Sequence, residues 1–175
     1  MRIEHYINSS GLKEIIEGSP IAKEFKHIFA CSFMYNEKGE AEWPGIAVDY
    51  TNKTQYIFKI NKGIFSANDS KKVNSSVAEE KKRIPYQQMI YFGDGDTDIP
   101  SMKIVTMFGG HAIATYDPSS AKKKAYAQKL EKQGRASFTA PADYTKDGRA
   151  YRLVCAIIDK IKADYDLKLL KSNKA

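Results

Sequence analysis

Ile90-Tyr91-Phe92-Gly93-Asp94-Gly95-Asp96-Thr97-Asp98-Ile99-Pro100-Ser101-Met102 decides how the rest of the chain is read. The apolar run Ile90 to Phe92 predicts a strand, Gly93 to Asp98 a glycine-flanked acidic turn, and Pro100 sits where the first turn of a helix begins. Such a strand, turn and helix present Asp94 and Asp98 beyond the carboxyl end of the strand, where open α/β sheets bind their ligands. Two carboxylates about 5 Å apart repel by roughly 3 kcal/mol at an effective dielectric near 20. The turn therefore invites a cation, and a hard, oxygen-seeking ion such as Mg²⁺ suits it. Asp94, Asp96 and Asp98 also alternate as in a calcium-binding EF-hand. That reading fails at the sixth position, Ile99 instead of glycine, and at the twelfth, Val105 instead of a bidentate Glu. A solvated acidic loop is the plain alternative, since Asp and Gly both supply turn chemistry.

Outward from this stretch, strands and helices alternate. Ile3 to Asn8 predicts a strand, Leu12 to Glu17 a helix ended by Gly18, and Ser19-Pro20 a short helical segment to about Phe25. Ile28 to Tyr35, the turn Asn36-Glu37-Lys38-Gly39 and Ala41 to Tyr50 predict a β-hairpin. Thr51 to Asn61 leads through Lys62 into a polar, Lys- and Ser-rich segment, Asn68 to Arg83, helical in parts. Ile84 to Phe92 is the strand before the acidic turn, and Pro100 to Met107 the helix after it. His111 to Thr115 is a further strand, Asp117-Pro118 starts a long helix closed by Gly134, Phe138 to Ala140 is a strand fragment, and Arg149 to Ala163 is an amphipathic helix. This alternation predicts a parallel sheet with right-handed crossovers.

Two further segments carry candidate chemistry. In His5-Tyr6-Ile7-Asn8-Ser9-Ser10-Gly11 a strand ends in hydroxyls; Ser9 or Ser10 would cap the helix from Leu12, and a helix N-terminus is itself an anion site. In Lys59-Ile60-Asn61-Lys62-Gly63, Lys62 stands out by its order between the other two motifs. Taken in order, the three segments resemble the second, third and fourth motifs of the haloacid dehalogenase superfamily, the Mg²⁺-dependent aspartyl phosphohydrolases. The surroundings of Ser9 and the hairpin after it are most similar to the phosphoserine-phosphatase-like branch.

The resemblance implies a Rossmann-like three-layer α/β fold with a parallel sheet and a hairpin excursion, spanning residues 1–167 as one core domain with a Lys-rich tail at 168–175. It implies that Ser9, with Ser10 and Gly11, holds a phosphoryl oxygen, that Lys62 neutralises charge, that Asp94 binds Mg²⁺, and that Asp98 orients a metal water or ligand. The family's first motif, a strand ending Asp-x-Asp-x-Thr or Val with the attacking Asp, belongs before the second, where eight residues stand. Asp164-Tyr165-Asp166 lies within or just past the last helix and is no substitute. The expected molecule is thus a C-terminal portion of a phosphomonoester hydrolase, inactive alone. Its sheet lacks the central strand, and its cap, hence its substrate, is not readable.

Loss of a central strand would bare buried edges at about 1 to 3 kcal/mol for each unpaired group. Three remedies stay open: a complementing N-terminal chain, direct pairing of the bared strands, or self-association. The functional alternatives are a non-enzymatic pseudophosphatase or regulatory subunit and, less in keeping with the pattern, a basic nucleic-acid-binding domain. The net charge is +7. Its clusters, Lys71-Lys72, Lys81-Lys82-Arg83 and Lys122-Lys123-Lys124, are dispersed and come without a helix-turn-helix, stacking motif or zinc knuckle. No apolar run is long enough to cross a bilayer, Met1 to His5 does not read as a signal peptide, and Cys31 and Cys155 read as reduced thiols, so a cytoplasmic protein is expected.

Overall fold

The computed structural model describes residues 2–66 and 70–172. The chain forms two compact units, Met1–Arg83 and Ile84–Ala175, where the sequence reading draws a single domain to residue 167. Each unit has its own three-stranded sheet, and the architecture is mixed α/β with one all-parallel sheet.

In the first unit, β1 (His5–Leu12) runs parallel to β2 (Phe25–Tyr35), and β2 pairs antiparallel with β3 (Ala41–Ile46). The hairpin forms as expected around Asn36, whose Oδ1 accepts from the N–H groups of Lys38 and Glu40. Between β1 and β2 lies α1 (Lys13–Glu17), and after the hairpin come α2 (Lys53–Lys62) and α3 (Ser70–Asn74). Phe29 and Ala30 of β2, Val48, and Tyr56, Ile57 and Ile60 of α2 form the core, with the Phe29 and Tyr56 rings stacked at 4.7 Å. Phe65 packs between Tyr6 and His27, and the Arg83 guanidinium lies over its ring.

The second unit is a continuous β-α-β-α-β run: β4 (Ile90–Gly93), α4 (Ile99–Met107), β5 (His111–Tyr116), α5 (Ala121–Lys132) and β6 (Phe138–Pro141), followed by α6 (Arg149–Ser172). All pairings are parallel in the order β4-β5-β6. The central strand β5 is buried on both faces, because its period of two sends Ala112 and Ala114 one way and Ile113 the other. Ala112 and Ala114 meet Met102 of α4 and Ala127 and Leu130 of α5, while Ile113 and Ala140 meet Ala150 and Ile157 of α6. This is a three-layer sandwich.

Several boundaries differ from expectation for physical reasons. The run Ile84 to Met89 is not strand: Pro85 starts a 3₁₀ turn, Tyr86–Gln88, and the ladder opens only at Ile90. The last helix does not stop at Ala163. It continues through the segment expected as a tail, so Lys168 and Lys171 are helical and Asp164-Tyr165-Asp166 lies inside α6. The fraying expected from Ser172 falls mostly on residues 173–175, outside the described residues, as does the start of the polar segment at 68–69.

Candidate functional site

The serine segment of the first unit is not a helix cap. β1 continues through Leu12, which itself occupies the cap position of α1 without a side-chain bond. The five-residue α1 is a single turn of helix, so the expected anion site at its N-terminus reduces to the strand itself. What distinguishes the segment is a bulge. Asn8 pairs with Phe29 and Leu12 with Cys31, so Ser9, Ser10 and Gly11 together stand opposite the single residue Ala30. Such bulges re-aim side chains next to sites. Ser9 Oγ accepts from the Gly11 N–H at 3.0 Å, and a Cβ at Gly11 would lie 3.2 Å from that oxygen, so glycine lets the hydroxyl sit over its own loop. Cys31 Sγ fixes the far side by donating to Ser10 O at 3.4 Å and accepting from Val48 N–H at 3.2 Å.

The lysines of α2 separate sharply. Lys62 lies in the last turn, and its ammonium donates to the carbonyls of Val73 and, at 2.7 Å, Ser75. It is thereby committed to holding the following segment, and no described bond joins it to Ser9, Ser10 or Gly11. Lys53 opens the same helix, is only 4% exposed, and accepts at its carbonyl from Asn8 Nδ2 at 3.1 Å, one residue before Ser9. The sequence reading missed it. A signal was present in Asp49-Tyr50-Thr51-Asn52, a turn-forming run that precedes the helix. Asp49 Oδ1 accepts from Thr51 N–H and Oγ1 and from Asn52 N–H, and Asp49 O accepts from Lys53 N–H.

The acidic turn of the second unit is built as a strand-to-helix corner. β4 ends at Gly93, a 3₁₀ turn spans Asp96–Asp98, and α4 follows with Pro100 in its first turn. The two carboxylates have different situations. Asp98 is buried and accepts from the Tyr91 hydroxyl at 2.8 Å through Oδ1 and from the Asp94 N–H at 3.3 Å through Oδ2. Burial and the charge of Asp98 push the Tyr91 phenol far above its usual range, so it remains a proton donor. The protein's own donors thus relieve the charge that the sequence reading left for a cation. Asp98 acts as the brace of the turn. Asp94 is exposed, and its carboxylate has no hydrogen bond among the described residues. The glycine before it is required: a Cβ at Gly93 would lie 2.6 Å from Asp98 Cβ and 3.1 Å from Met102 Sδ.

Asp94 opens onto a cavity of about 300 Å³ at the carboxyl ends of β4, β5 and β6. Phe92, Tyr116 and Tyr144 supply aromatic walls, Asp117 a second carboxylate and Lys123 an ammonium. Among the described residues no three His, Cys, Asp or Glu side chains cluster as a metal cage. A hard cation at this turn would find the exposed carboxylates of Asp94 and Asp96, the latter accepting from the Tyr126 hydroxyl, and would keep most of its water.

No family model matches the chain, and no solved structure matches it significantly. A curated relative, an uncharacterized protein of Borreliella burgdorferi (strain ATCC 35210 / DSM 4680 / CIP 102532 / B31), is 30% identical over 167 residues, covering 87% of this chain and 56% of the relative. The chain therefore spans little more than half the length of the curated relative it matches. No helix among the described residues is long and apolar enough to cross a membrane.

Proposed function

We propose that this chain carries the phosphate-binding and metal-binding portion of a haloacid dehalogenase-like phosphohydrolase, whose attacking Asp is supplied by a strand outside the residues described. One observation carries the reading. β1 and β4, the strands that deliver the serine bulge and the acidic turn, are each the outer strand of their own sheet, and each is parallel to its one neighbour. The reading requires one more strand, ending Asp-x-Asp, and assigns the three motifs to one phosphomonoester in the complete enzyme. The chain's match to little more than half of its relative leaves room in that protein for such a strand and a cap.

In this reading Ser9 donates its hydroxyl to a phosphoryl oxygen, and the Ser10 and Gly11 N–H groups lie beside it on the bulge. Asp94 is the metal ligand, and Asp98 positions it through the backbone. Mg²⁺ would supply charge neutralisation at the phosphoryl group. The sequence reading gives the charge-neutralising lysine as Lys62. We assign the role to Lys53, because the start of α2 lies against the strand that bears Ser9, where Asn8 Nδ2 donates to the Lys53 carbonyl. In the complete enzyme the ester is hydrolysed through an aspartyl-phosphate. The chain alone turns over no ester, because it offers no attacking group.

Phosphate binding in the presence of Mg²⁺ tests the assignment by calorimetry. Asp94→Asn should abolish the Mg²⁺ dependence, and Lys53→Ala should weaken phosphate at least tenfold while Lys62→Ala leaves it within twofold. Failure of the chain to bind phosphate, or sensitivity to Lys62 alone, contradicts the assignment. Mg²⁺-dependent hydrolysis of p-nitrophenyl phosphate by the isolated chain, lost in Asp94→Asn, would contradict the missing nucleophile.

A further inference from the structure

We infer that the cavity at the carboxyl ends of β4, β5 and β6 is a nucleoside subsite, which makes the substrate class nucleoside monophosphates. The phosphate part of this inference rests on the phosphohydrolase reading. The ribose and base parts stand on the second unit alone.

The second unit is a parallel β-α-β-α-β run, the arrangement of a mononucleotide-binding half, and its cavity lies where such sheets place ligands. Its volume of about 300 Å³ is at the size of a small-ligand site. In nucleotide-binding sheets of this kind, an acidic residue after the second strand accepts from the ribose hydroxyls. Here that position is Asp117, one residue beyond β5. Its Oδ1 is held by the Ser119 N–H at 2.9 Å and the Ser119 hydroxyl at 2.7 Å. Those two donors fix the side chain and favour its ionised form, and Oδ2 has no hydrogen bond among the described residues. A fixed carboxylate with an open oxygen at a cavity wall is an acceptor for a vicinal diol.

The lining is also aromatic. Phe92 and Tyr144 meet edge to face, with ring centroids 6.1 Å apart and planes at 66°. Phe92 remains 40% exposed and Tyr144 62% exposed, so ring surface is left open to solvent at the cavity. A flat nucleobase covers such a surface by stacking, and does so with little regard to base identity. Lys123, in the first turn of α5, lines the cavity as its one cationic side chain among the described residues, with the carboxylates of Asp94 and Asp117. The lining thus combines an acceptor for hydroxyls, aromatic surface for a ring and the metal carboxylate for a phosphate. A sugar phosphate uses two of these, and a nucleoside monophosphate uses all three.

The test compares AMP, ribose 5-phosphate, adenosine and 2′,3′-dideoxyadenosine by calorimetry and by amide chemical shifts, with and without Mg²⁺. AMP should bind at least tenfold more tightly than ribose 5-phosphate, and adenosine alone should shift the amides of Phe92, Asp117 and Tyr144. Tyr144→Ala should remove the preference for AMP and Tyr144→Phe should retain it. Asp117→Asn should weaken adenosine about tenfold and leave the dideoxy analogue unchanged. Equal affinity for AMP and ribose 5-phosphate, with no adenosine shifts, overturns the subsite while leaving the phosphohydrolase reading intact. Adenosine binding without any effect of phosphate or Mg²⁺ does the reverse. Binding of none of the probes overturns both.

Discussion

Gly93→Ala is the sharpest single perturbation of the acidic corner. The new methyl would sit 2.6 Å from Asp98 Cβ, 3.2 Å from Asp98 Cγ and 3.1 Å from Met102 Sδ. Neither neighbour can retreat easily, since Met102 is fully buried and Asp98 is tied to Tyr91 and to the Asp94 N–H. Overpacking of this kind costs about 1 to 3 kcal/mol. Displacing Asp98 from the Tyr91 hydroxyl adds about 1 to 3 kcal/mol for a buried polar group losing its partner. Restricting the unfolded chain offsets about 0.4 to 1 kcal/mol. A net loss of about 1 to 6 kcal/mol, centred near 3, follows. Gly95→Ala is the internal control: its backbone is extended, and a Cβ there meets nothing within 4 Å. That change should stay within about 0.5 kcal/mol. Amide hydrogen exchange of Ala112, Ile113 and Ala114 reads the stability of the second unit directly. Equal protection in the two variants would refute the claim that the corner is braced through Asp98.

Alkaline pH provides a second handle on the same corner. The Tyr91 phenol titrates above its unfolded value of about 10, so its stabilising contribution is complete below that pH and is lost as the pH rises beyond it. Tyr91→Phe should flatten the alkaline limb of a urea-midpoint profile; an unchanged limb would place the effect elsewhere. In the first unit the hydrogen bond from Arg83, then that from Tyr6, holds Glu4 down at about 2. Its contribution is present above the ordinary value of 4.5 and disappears as the pH falls toward 2. Arg83→Gln should therefore shrink the acid-dependent loss of stability between those limits, measured by Trp43 fluorescence, and an unaltered acid limb would contradict the ion pair's role. Ser9→Ala removes an exposed loop contact and should change stability by less than about 1 kcal/mol while weakening phosphate binding. A large stability loss with unchanged binding would make Ser9 a structural residue.

How far the sequence foretold this depended on the range of the forces involved. The second unit was legible because its signals are local. Alternation places Ala112, Ile113 and Ala114, and Pro100 starts α4; the helix expected from Asp117-Pro118 begins instead at Ala121, where Ser120 caps it by accepting from the Lys123 N–H. The first unit was less so. Ser9 to Gly11 looks like a cap from its composition, yet a bulge opposite Ala30 absorbs those residues into the strand, and only the register with β2 reveals it. Lys62 stands out in the sequence by its order between the other two motifs, while burial, which no spacing encodes, marks Lys53 and Lys59. The cavity was invisible for a similar reason. Phe92, Asp117 and Tyr144 are far apart in sequence and meet only because parallel strands end on the same side. The division at Arg83 rests on long-range packing that composition does not signal.

Mn²⁺ in place of Mg²⁺ gives the most direct measurement of the claim that Asp94 is the metal ligand. With phosphate present, paramagnetic broadening should reach the amides of Asp94 to Asp98 and be lost in Asp94→Asn. Absence of broadening at the acidic turn, or broadening unchanged in Asp94→Asn, would contradict the account.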